Sequence, residues 1–270
     1  MSFTHKSILF SITFLSVSLF SQDYAHDSLA VRAILDSNGL AEWSVKSVTD
    51  TSGGRIVKLT IDGTYFDFNK FPAEIGNLTA LTALYLTGSF NQLNSLPPEI
   101  VNLNNLKGLW LSSFKLTMFP LEILGLTNLT MLDLCDNDLK NLPAEIESLN
   151  NLEMLRLTGN NLTSLPPEIG NLVNLKYFYI NHNNLISIPS EIGNLCNLER
   201  LDLNYNNLIN LPDSIINLFP KKELDVGYNK LDTNTLSDTV IAWLDEYHPG
   251  WIETQDISTY KVIVHSKVTP

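Results

Sequence analysis

The 270-residue sequence has few basic residues: 17 Lys and Arg stand against 29 Asp and Glu, and the formal net charge is −12 at pH 7. These basic residues are scattered along the chain and form no cluster. Nucleic acids and anionic membranes attract proteins through clustered positive charge, so the composition argues against either as the main partner. With 44% hydrophobic residues, the composition also argues against a disordered chain.

Long hydrophobic runs are absent as well, except for one near the start. Lys6 precedes the apolar run Ser7–Phe20, and a polar stretch follows it. The run is short for a membrane span and has the length of a signal-peptide core, so residues 1–21 are predicted to be a signal peptide of a secreted or cell-envelope protein. The alternative is an uncleaved anchor helix. No other run approaches 18 apolar residues, so the mature chain is expected to have no membrane span.

Leucine, in contrast, recurs at a fixed interval of 23 residues, at Leu106, Leu129, Leu152, Leu175 and Leu198. Leu81 and Ile56 precede this series at steps of 25 residues, and Lys221 continues it. The copies open with versions of the pattern L-x-x-L-x-L-x-x-N-x-L. A period in this range with this opening is typical of leucine-rich repeats.

The predicted fold class is an α/β solenoid over residues 56–231, with seven full repeats and a partial eighth. Parallel strands should line its concave face, and short helices or turns its convex face. The recurring Asn after each strand is expected to hydrogen-bond the turn, at Asn137, Asn160, Asn183, Asn206 and Asn229. Proline is expected at the first helical residue, at Pro143, Pro166, Pro189 and Pro212. Glutamates should occupy the first helical turn, at Glu145, Glu168 and Glu191.

Capping regions are predicted at both ends of the array, because terminal repeats expose an apolar edge. Residues 22–55 form the N-terminal cap, with a helix from Asp27 to Gly39. Asp27 should cap its first turn and Gly39 its end, with Leu29, Ala33 and Ile34 on one face. Residues 232–251 form the C-terminal cap, with a helix over Thr235–Tyr247 and Trp251 packed behind it. Its apolar face would carry Leu236, Val240, Ile241 and Leu244. Residues 252–270 are a tail of unknown role with one strand-like alternation, Tyr260–His265.

Two local features interrupt the pattern. The first two units carry longer loops with Phe66, Phe68 and Phe90, and Phe114 replaces the recurring Asn in the third unit. These rings either form a protruding binding rim or are packing variants. The two cysteines, Cys135 and Cys196, fall after a strand and on the convex side, so no disulfide is expected and both are interpreted as packing residues.

The units resemble the 23-residue L-P-x-E-I-G-N-L class of leucine-rich repeats, found in Ras-group plant proteins, animal scaffold proteins and many bacterial proteins. Residues 55–61 are similar to the N-terminal cap of plant-type repeat proteins, although the paired cap cysteines of that family are missing. The resemblance implies a recognition module. Together with the export signal, it is most similar to a secreted or envelope protein of a bacterium.

Counted from the leading leucine of each repeat, the third and fifth residues are expected to point into the concave face. Equivalent residues of adjacent repeats should lie about 5 Å apart there. Aromatic rings and paired charges recur there, and such rings beside Arg are enriched at binding hot spots. Asp133 should pair with Arg156, and Arg200 with Glu223. The predicted partner-binding residues are Tyr85, Trp110, Asp133, Arg156, Tyr177, Tyr179, Arg200, Asp202 and Asp225.

Two functions remain open from the sequence. The first is non-catalytic recognition of a protein or peptide, as in an enzyme inhibitor, an adhesin or a host-interaction factor. A basic group on the ligand would relieve the repulsion between Asp202 and Asp225. The second is binding of carbohydrate or a surface polymer, or a structural role in the envelope. No catalytic trio, phosphate-binding loop or metal-ligand cluster is evident, so we predict no enzyme activity, metal or cofactor, and a monomer.

Overall fold

The computed structural model describes residues 22–62, 71–87, 93, 95–218 and 223–255. Within these residues, nine strands form a single sheet whose spatial order follows the chain. β1 and β2 are antiparallel, and every later pair is parallel. The strands are β1 (Thr49–Ser52), β2 (Arg55–Asp62), β3 (Ala83–Thr87), β4 (Gly108–Ser112), β5 (Met131–Asp133), β6 (Met154–Arg156), β7 (Tyr177–Tyr179), β8 (Arg200–Asp202) and β9 (Glu223–Asp225).

Each strand from β2 to β8 is followed on the opposite side of the solenoid by a short 3₁₀-helix, which confirms the predicted α/β solenoid. The proline before four of these helices has an extended backbone (ψ 146–153°), so it lies one residue earlier than predicted, at the N-cap. The glutamates lie in the first turn as predicted. The 3₁₀-helices are Ala73–Asn77, Pro98–Asn102, Leu121–Gly125, Ala144–Ser148, Pro167–Asn171, Ser190–Asn194 and Asp213–Asn217.

The core lies between these two layers and consists of stacked leucine and isoleucine side chains. Leu152, Leu155 and Leu157 of one unit are fully buried, as the repeat pattern predicts. Ile169, from the following 3₁₀-helix, closes the same layer of the core. Because each unit is covered only by its neighbours, burial of this apolar surface holds consecutive repeats together.

The recurring asparagines form the predicted ladder of buried amides. In one rung, Asn183 Nδ2 donates to the carbonyl oxygens of Leu157 (2.9 Å) and Ile180 (3.0 Å), and its Oδ1 accepts the N–H of Leu162 (3.0 Å). Phe114 is fully buried where a rung is missing, and Asn137 Oδ1 accepts two backbone N–H groups there. The amides thus satisfy backbone groups that the bend after each strand turns into the interior.

The N-terminal cap is built around Asp27, whose predicted role was wrong. Helix α1 covers residues 22–37, so Asp27 lies inside the helix instead of capping it. Its fully buried carboxylate makes two hydrogen bonds to the guanidinium of Arg55 (2.8 and 2.9 Å) and accepts the N–H of Ile56 (2.8 Å). Leu29 is 69% exposed, so the predicted apolar face is also wrong. The buried face consists of Ala30, Val31, Ile34 and Leu35.

The end of α1 follows the prediction. Gly39 has a φ of 73°, a left-handed conformation that glycine adopts without a Cβ clash, and Leu40 donates back to the Leu35 carbonyl (2.9 Å). A short helix, α2 (Val45–Val48), then leads into β1, which pairs along β2 and closes this edge of the sheet.

The C-terminal cap is helix α3 (Asp238–Tyr247), which begins three residues later than predicted. The Ser237 side chain accepts the N–H of Val240 and so marks the N-cap. Leu236, Val240 and Leu244 are buried against the last repeat, and Ile241 is partly buried. Trp251 opens the last 3₁₀-helix (Trp251–Thr254) and is buried, as predicted, with its indole N–H on Asp245 (2.9 Å).

The amide ladder ends on Gln255, beyond the predicted cap boundary at Trp251. Gln255 Nε2 donates to the carbonyl of Val226 (3.1 Å), and its Oε1 accepts the N–H of Leu231 (3.3 Å). These are the same kinds of bond that a ladder Asn makes to the preceding repeat, as Asn183 does to Leu157 and Leu162. The exposed backbone of the last bend is therefore satisfied by a residue from the cap.

Asn183→Ala tests the ladder. The substitution removes this hydrogen-bond partner from one buried N–H and two buried carbonyl groups. Each group left unsatisfied lowers the free energy of unfolding by about 1–3 kcal/mol. We expect the free energy of unfolding, measured by urea denaturation, to fall by about 2–5 kcal/mol. The neighbouring exposed Asn184→Ala is the control and should change it by less than about 0.5 kcal/mol. Equal losses in the two variants would contradict the ladder.

Candidate functional site

The register of the sheet aligns the predicted fifth-position residues in one column along the concave face. Tyr85 pairs with Trp110, Trp110 with Asp133, and the pairing continues strand by strand to Asp225. Tyr177 and Arg200 pair in the neighbouring third-position column. The structure therefore brings all nine predicted residues onto one surface, in three successive segments that differ in chemistry.

The first segment is an aromatic pair. The rings of Tyr85 and Trp110 stack with centroids 3.8 Å apart and planes 15° apart, and Lys58 Nζ lies 5.1 Å from the Tyr85 centroid. Gly108, two residues before Trp110 on β4, makes room for the indole: a Cβ there would lie 2.4 Å from two of its ring carbons. Trp110 thus depends on a glycine at the third position of its own repeat.

The second segment is charged but internally compensated. Arg156 Nη1 lies 2.6 Å from Asp133 Oδ2, and Arg200 Nη1 lies 2.6 Å from Glu223 Oε2, which confirms both predicted pairs. The two guanidinium groups also flank the ring of Tyr179, with Cζ atoms 5.9 and 5.5 Å from its centroid. A partner can therefore meet both cations and a ring at one place on the concave face.

Beside this segment, Tyr177 O–H donates to Glu199 (2.8 Å), and this hydrogen bond raises the pKa of Tyr177 above its usual value. The hydroxyl therefore stays protonated at neutral pH and offers a fixed polar contact on the third-position column.

The third segment is acidic. Asp202 and Asp225 pair in direct register on β8 and β9, and none of the ion pairs within the described residues involves either carboxylate. Burial raises the pKa of Asp202; the N–H of Asn204 opposes this rise, and the charge of Asp225 adds to it. The positive charge of Arg200 also lowers this pKa, but by less than burial and Asp225 raise it, and neither carboxylate forms an ion pair with it.

Two of the predicted contact residues are far less accessible than expected. Asp133 and Asp202 are buried, with 3% and 7% of their surfaces exposed. Each carboxylate turns back onto its own chain and accepts a backbone N–H two residues later, from Cys135 (2.9 Å) and Asn204 (3.3 Å). The short Asp side chain therefore satisfies the bend after the strand, and a partner would meet Arg156 before it met Asp133.

An aromatic stack at the edge of the concave face was not predicted as part of the site. His182, Tyr205 and Tyr228 directly precede ladder asparagines, and their rings stack with centroids 4.3 and 4.2 Å apart. All three residues have a φ of 51–53° and are exposed. Their 23-residue spacing was visible in the sequence, but the left-handed backbone that aims the rings along one edge was not.

Cys135 and Cys196 are not joined by a disulfide, as predicted. Burial, with the charge of Asp133 as a lesser cause, raises the pKa of the Cys135 thiol to about 12, so it is protonated at neutral pH. Cys196 is exposed, so its interpretation as a packing residue is wrong. Among the residues that the structure describes, no group of three His, Cys, Asp or Glu is placed to hold a metal ion.

Some expectations fall outside the described residues. These are the signal peptide (1–21), the loops with Phe66, Phe68 and Phe90, and the alternation in Tyr260–His265. In the part of the chain that the structure covers, no helix has the length and apolar character needed to cross a membrane.

Asp202→Asn tests the acidic segment. Because the folded-state pKa of Asp202 is raised, its ionised carboxylate opposes folding at neutral pH, and this cost vanishes as the pH falls below the unfolded-state pKa. The variant should therefore be more stable than the parent at pH 7, by about 0.2–1 kcal/mol from the relieved repulsion. Urea denaturation at pH 7 and pH 3.5 should show the difference shrinking in acid. A difference that grows in acid would contradict the assignment.

Comparison with known proteins gives the family. The leucine-rich-repeat family profile matches residues 150–208. No curated protein sequence matches the chain. A crystal structure of a plant ice-binding protein is similar at 30% identity and a TM-score of 0.62, covering 77% of this chain and 72% of that one.

Two further structures are similar, and one of them is the ectodomain of a plant membrane receptor kinase. The structure of PEPR1–AtPEP1 is 26% identical with a TM-score of 0.60, over 76% of this chain and 32% of that one. The GASSHO1/SCHENGEN3 receptor-kinase ectodomain from Arabidopsis thaliana, in complex with CASPARIAN STRIP INTEGRITY FACTOR 2, is 27% identical with a TM-score of 0.50, over 68% and 27%. The chain spans only about a third or less of these two proteins. With its strands, amide ladder and family match, the chain belongs to the leucine-rich-repeat proteins.

Proposed function

We propose that this chain is an exported, non-catalytic recognition module that binds a protein or peptide segment along its concave face. The observation that carries the proposal is the column from Tyr85 to Asp225, which presents rings and cations on a surface where the core needs none. Arg200, Tyr179 and Arg156 lie adjacent there. Such combinations of Arg and large rings are typical of binding hot spots.

The similar structures support this reading. The GASSHO1 ectodomain was solved in complex with a named factor, and PEPR1 with AtPEP1. An extended segment suits this chain because its own concave charges are already paired, at Arg156–Asp133 and Arg200–Glu223. A ligand therefore gains most from ring contacts and from hydrogen bonds to the flanking side chains, and less from new ion pairs in the middle of the face.

We assign the repeats to the 23-residue L-P-x-E-I-G-N-L class, and export to the apolar run in residues 1–21. The 3₁₀-helix Pro167–Asn171, which carries the letters P-E-I-G-N, supports the class assignment through its proline N-cap and glutamate in the first turn. The lack of a disulfide between Cys135 and Cys196 neither supports nor opposes export, since stacked repeats are held together by a continuous core.

Carbohydrate binding through the aromatic pair is less well supported. A sugar stacks on a free ring face, but Tyr85 has Lys58 on one side and Trp110 on the other. The next residue along the column, Asp133, is not aromatic, so the stacked rings do not continue into a longer platform for a polymer on this side.

Ice binding is a second candidate because one specific feature favours it. Five convex-side amides donate to a carbonyl of the preceding repeat at 2.8–2.9 Å, and all are exposed. A regular row of polar groups held in fixed positions can match the spacing of water molecules in an ordered lattice. One of the similar structures is also that of a plant ice-binding protein. These residues are Asn105, Asn128, Asn151, Asn174 and Asn197. Ice-recrystallisation assays of the parent protein, and of a variant with Asn151 and Asn174 changed to Asp, test this function. If the parent protein leaves ice growth unchanged, ice binding is ruled out.

Trp110→Ala, Arg156→Ala and Tyr179→Ala together test concave-face recognition. The triple variant removes the Trp110 ring and both groups of the contact between Arg156 and Tyr179. The amount of each captured partner protein should therefore fall by at least about tenfold. The measurement is a pull-down from culture of the source organism with quantitative mass spectrometry, and circular dichroism checks that the variant is folded.

The matched control changes three residues of the convex side, Leu121, Glu145 and Val173, to Ala. All three are exposed, and none lies in the concave columns. Partners should survive this control unchanged. Partners that survive the concave triple variant, or vanish with the convex one, would show that recognition uses another surface.

A further inference from the structure

A cavity of about 320 Å³ lies at the C-terminal end of the concave face. It separates the end of β9 from the chain that follows helix α3. One wall carries Asp225, Gly227 and Tyr228, and the other carries His248, Trp251 and Thr254. Because β9 is the last strand within the described residues, this cavity occupies the place that the next repeat would fill.

Gly227 keeps the cavity open. The same position carries Thr158, Asn181 and Asn204 in the preceding repeats, where side chains fill the space. A Cβ at Gly227 would lie 3.3 Å from both Asp225 Oδ1 and Thr254 Oγ1. The glycine thus leaves the Asp225 carboxylate accessible from the cavity, while its backbone N–H holds one carboxylate oxygen (3.0 Å).

The charge in the cavity is unbalanced. Asp225 is exposed, and its other oxygen accepts Asn204 Nδ2 (2.8 Å), so both oxygens are oriented and each retains a free lone pair. Asp202 adds a second carboxylate on the adjacent strand. The nearest titratable group across the cavity, His248, carries no compensating charge at neutral pH, because burial lowers its pKa.

A flat ring and an unmet acceptor lie next to this carboxylate. Tyr228 ends the stack with Tyr205, and it is 52% exposed and borders the cavity. The Oδ1 atom of Asn204 belongs to the amide that holds Asp225, and it is buried without a hydrogen-bond partner in the described part of the chain. Asn204 lies behind the carboxylate and does not line the cavity, so the cavity itself combines an oriented carboxylate with an aromatic surface.

We propose that this cavity is a subsite for the guanidinium group of an arginine side chain on the peptide that the concave face binds. The proposal rests on the proposed function and names one element of the ligand. A guanidinium is planar, so it stacks on Tyr228 while its N–H groups reach the free lone pairs of Asp225. An ammonium group would meet the charge but would make no planar contact with the ring.

The test uses nuclear magnetic resonance on the ¹⁵N-labelled full chain and a defined probe, the peptide acetyl-Gly-Gly-Arg-Gly-Gly-amide. The control peptide carries citrulline, which has nearly the same shape without the charge. We expect saturable shifts at the amides of Asp225, Gly227 and Tyr228 with the arginine peptide, and at least about tenfold weaker binding of the citrulline peptide. Equal binding of the two peptides, or shifts centred elsewhere, overturns the proposal.

Two variants and one control localise the effect. Asp225→Asn removes the charge and Gly227→Val fills the cavity, so each should weaken binding of the arginine peptide by at least about tenfold. Glu145→Gln removes one charge on the convex side and should leave the affinity unchanged. If Ca²⁺ alone produces the same shifts with equal or greater affinity, the site is a cation site and the arginine assignment is wrong.

This experiment is separable from the test of the proposed function. If the arginine peptide fails to bind while the Trp110, Arg156 and Tyr179 variant still loses its partners, the subsite is wrong and concave-face recognition stands. If the peptide binds but no partner depends on the concave triple, the cavity is real and the wider proposal fails.

Discussion

The fold depends on one interaction, the hydrogen bonding of buried asparagine amides to backbone left open by the bend after each strand. A chain that turns inward every 23 residues would otherwise bury unpaired peptide groups in each repeat. Asn160 and Asn183 each solve this with one carboxamide that donates to carbonyls and accepts an N–H. Asp27 and Gln255 solve related problems at the two ends, so the array closes without further repeats.

The candidate site follows from this constraint. Since the ladder and the leucine layers hold every strand in the same register, fifth-position side chains form a column regardless of their chemistry. Core packing does not fix the residue type at the fifth position, since that position holds residues as different as Trp110, Arg156 and Asp225. Two glycines at neighbouring positions limit what the column can hold: Gly108, at the third position, must be small for the Trp110 ring, and Gly227, at the seventh, leaves the terminal cavity open.

The repeat period, the strand register and the ion pair of Arg156 with Asp133 could all be predicted from the sequence, because each depends on residues at a fixed spacing. The roles of Asp27 and Gln255 could not, since each contacts residues 24–29 positions away outside the period. The burial of Asp133 depends on a local bond to its own chain that the outward-facing pattern hides. The stack of His182, Tyr205 and Tyr228 depends on a left-handed backbone, which cannot be predicted from the residue types at these positions.

The three segments of the concave column impose an order on any ligand that occupies both ends. Trp110 lies on β4 and Asp225 on β9, five strand spacings or about 24 Å apart. An extended peptide covers this distance with about seven residues at roughly 3.4 Å each. Such a ligand would place an apolar or aromatic group at Trp110, a polar or acidic segment across Arg156 and Arg200, and its basic group at Asp225. The order of these groups along the ligand, more than its net charge, would therefore decide whether the column binds it, because the paired arginines in the middle offer a basic group no net attraction and the acidic end does.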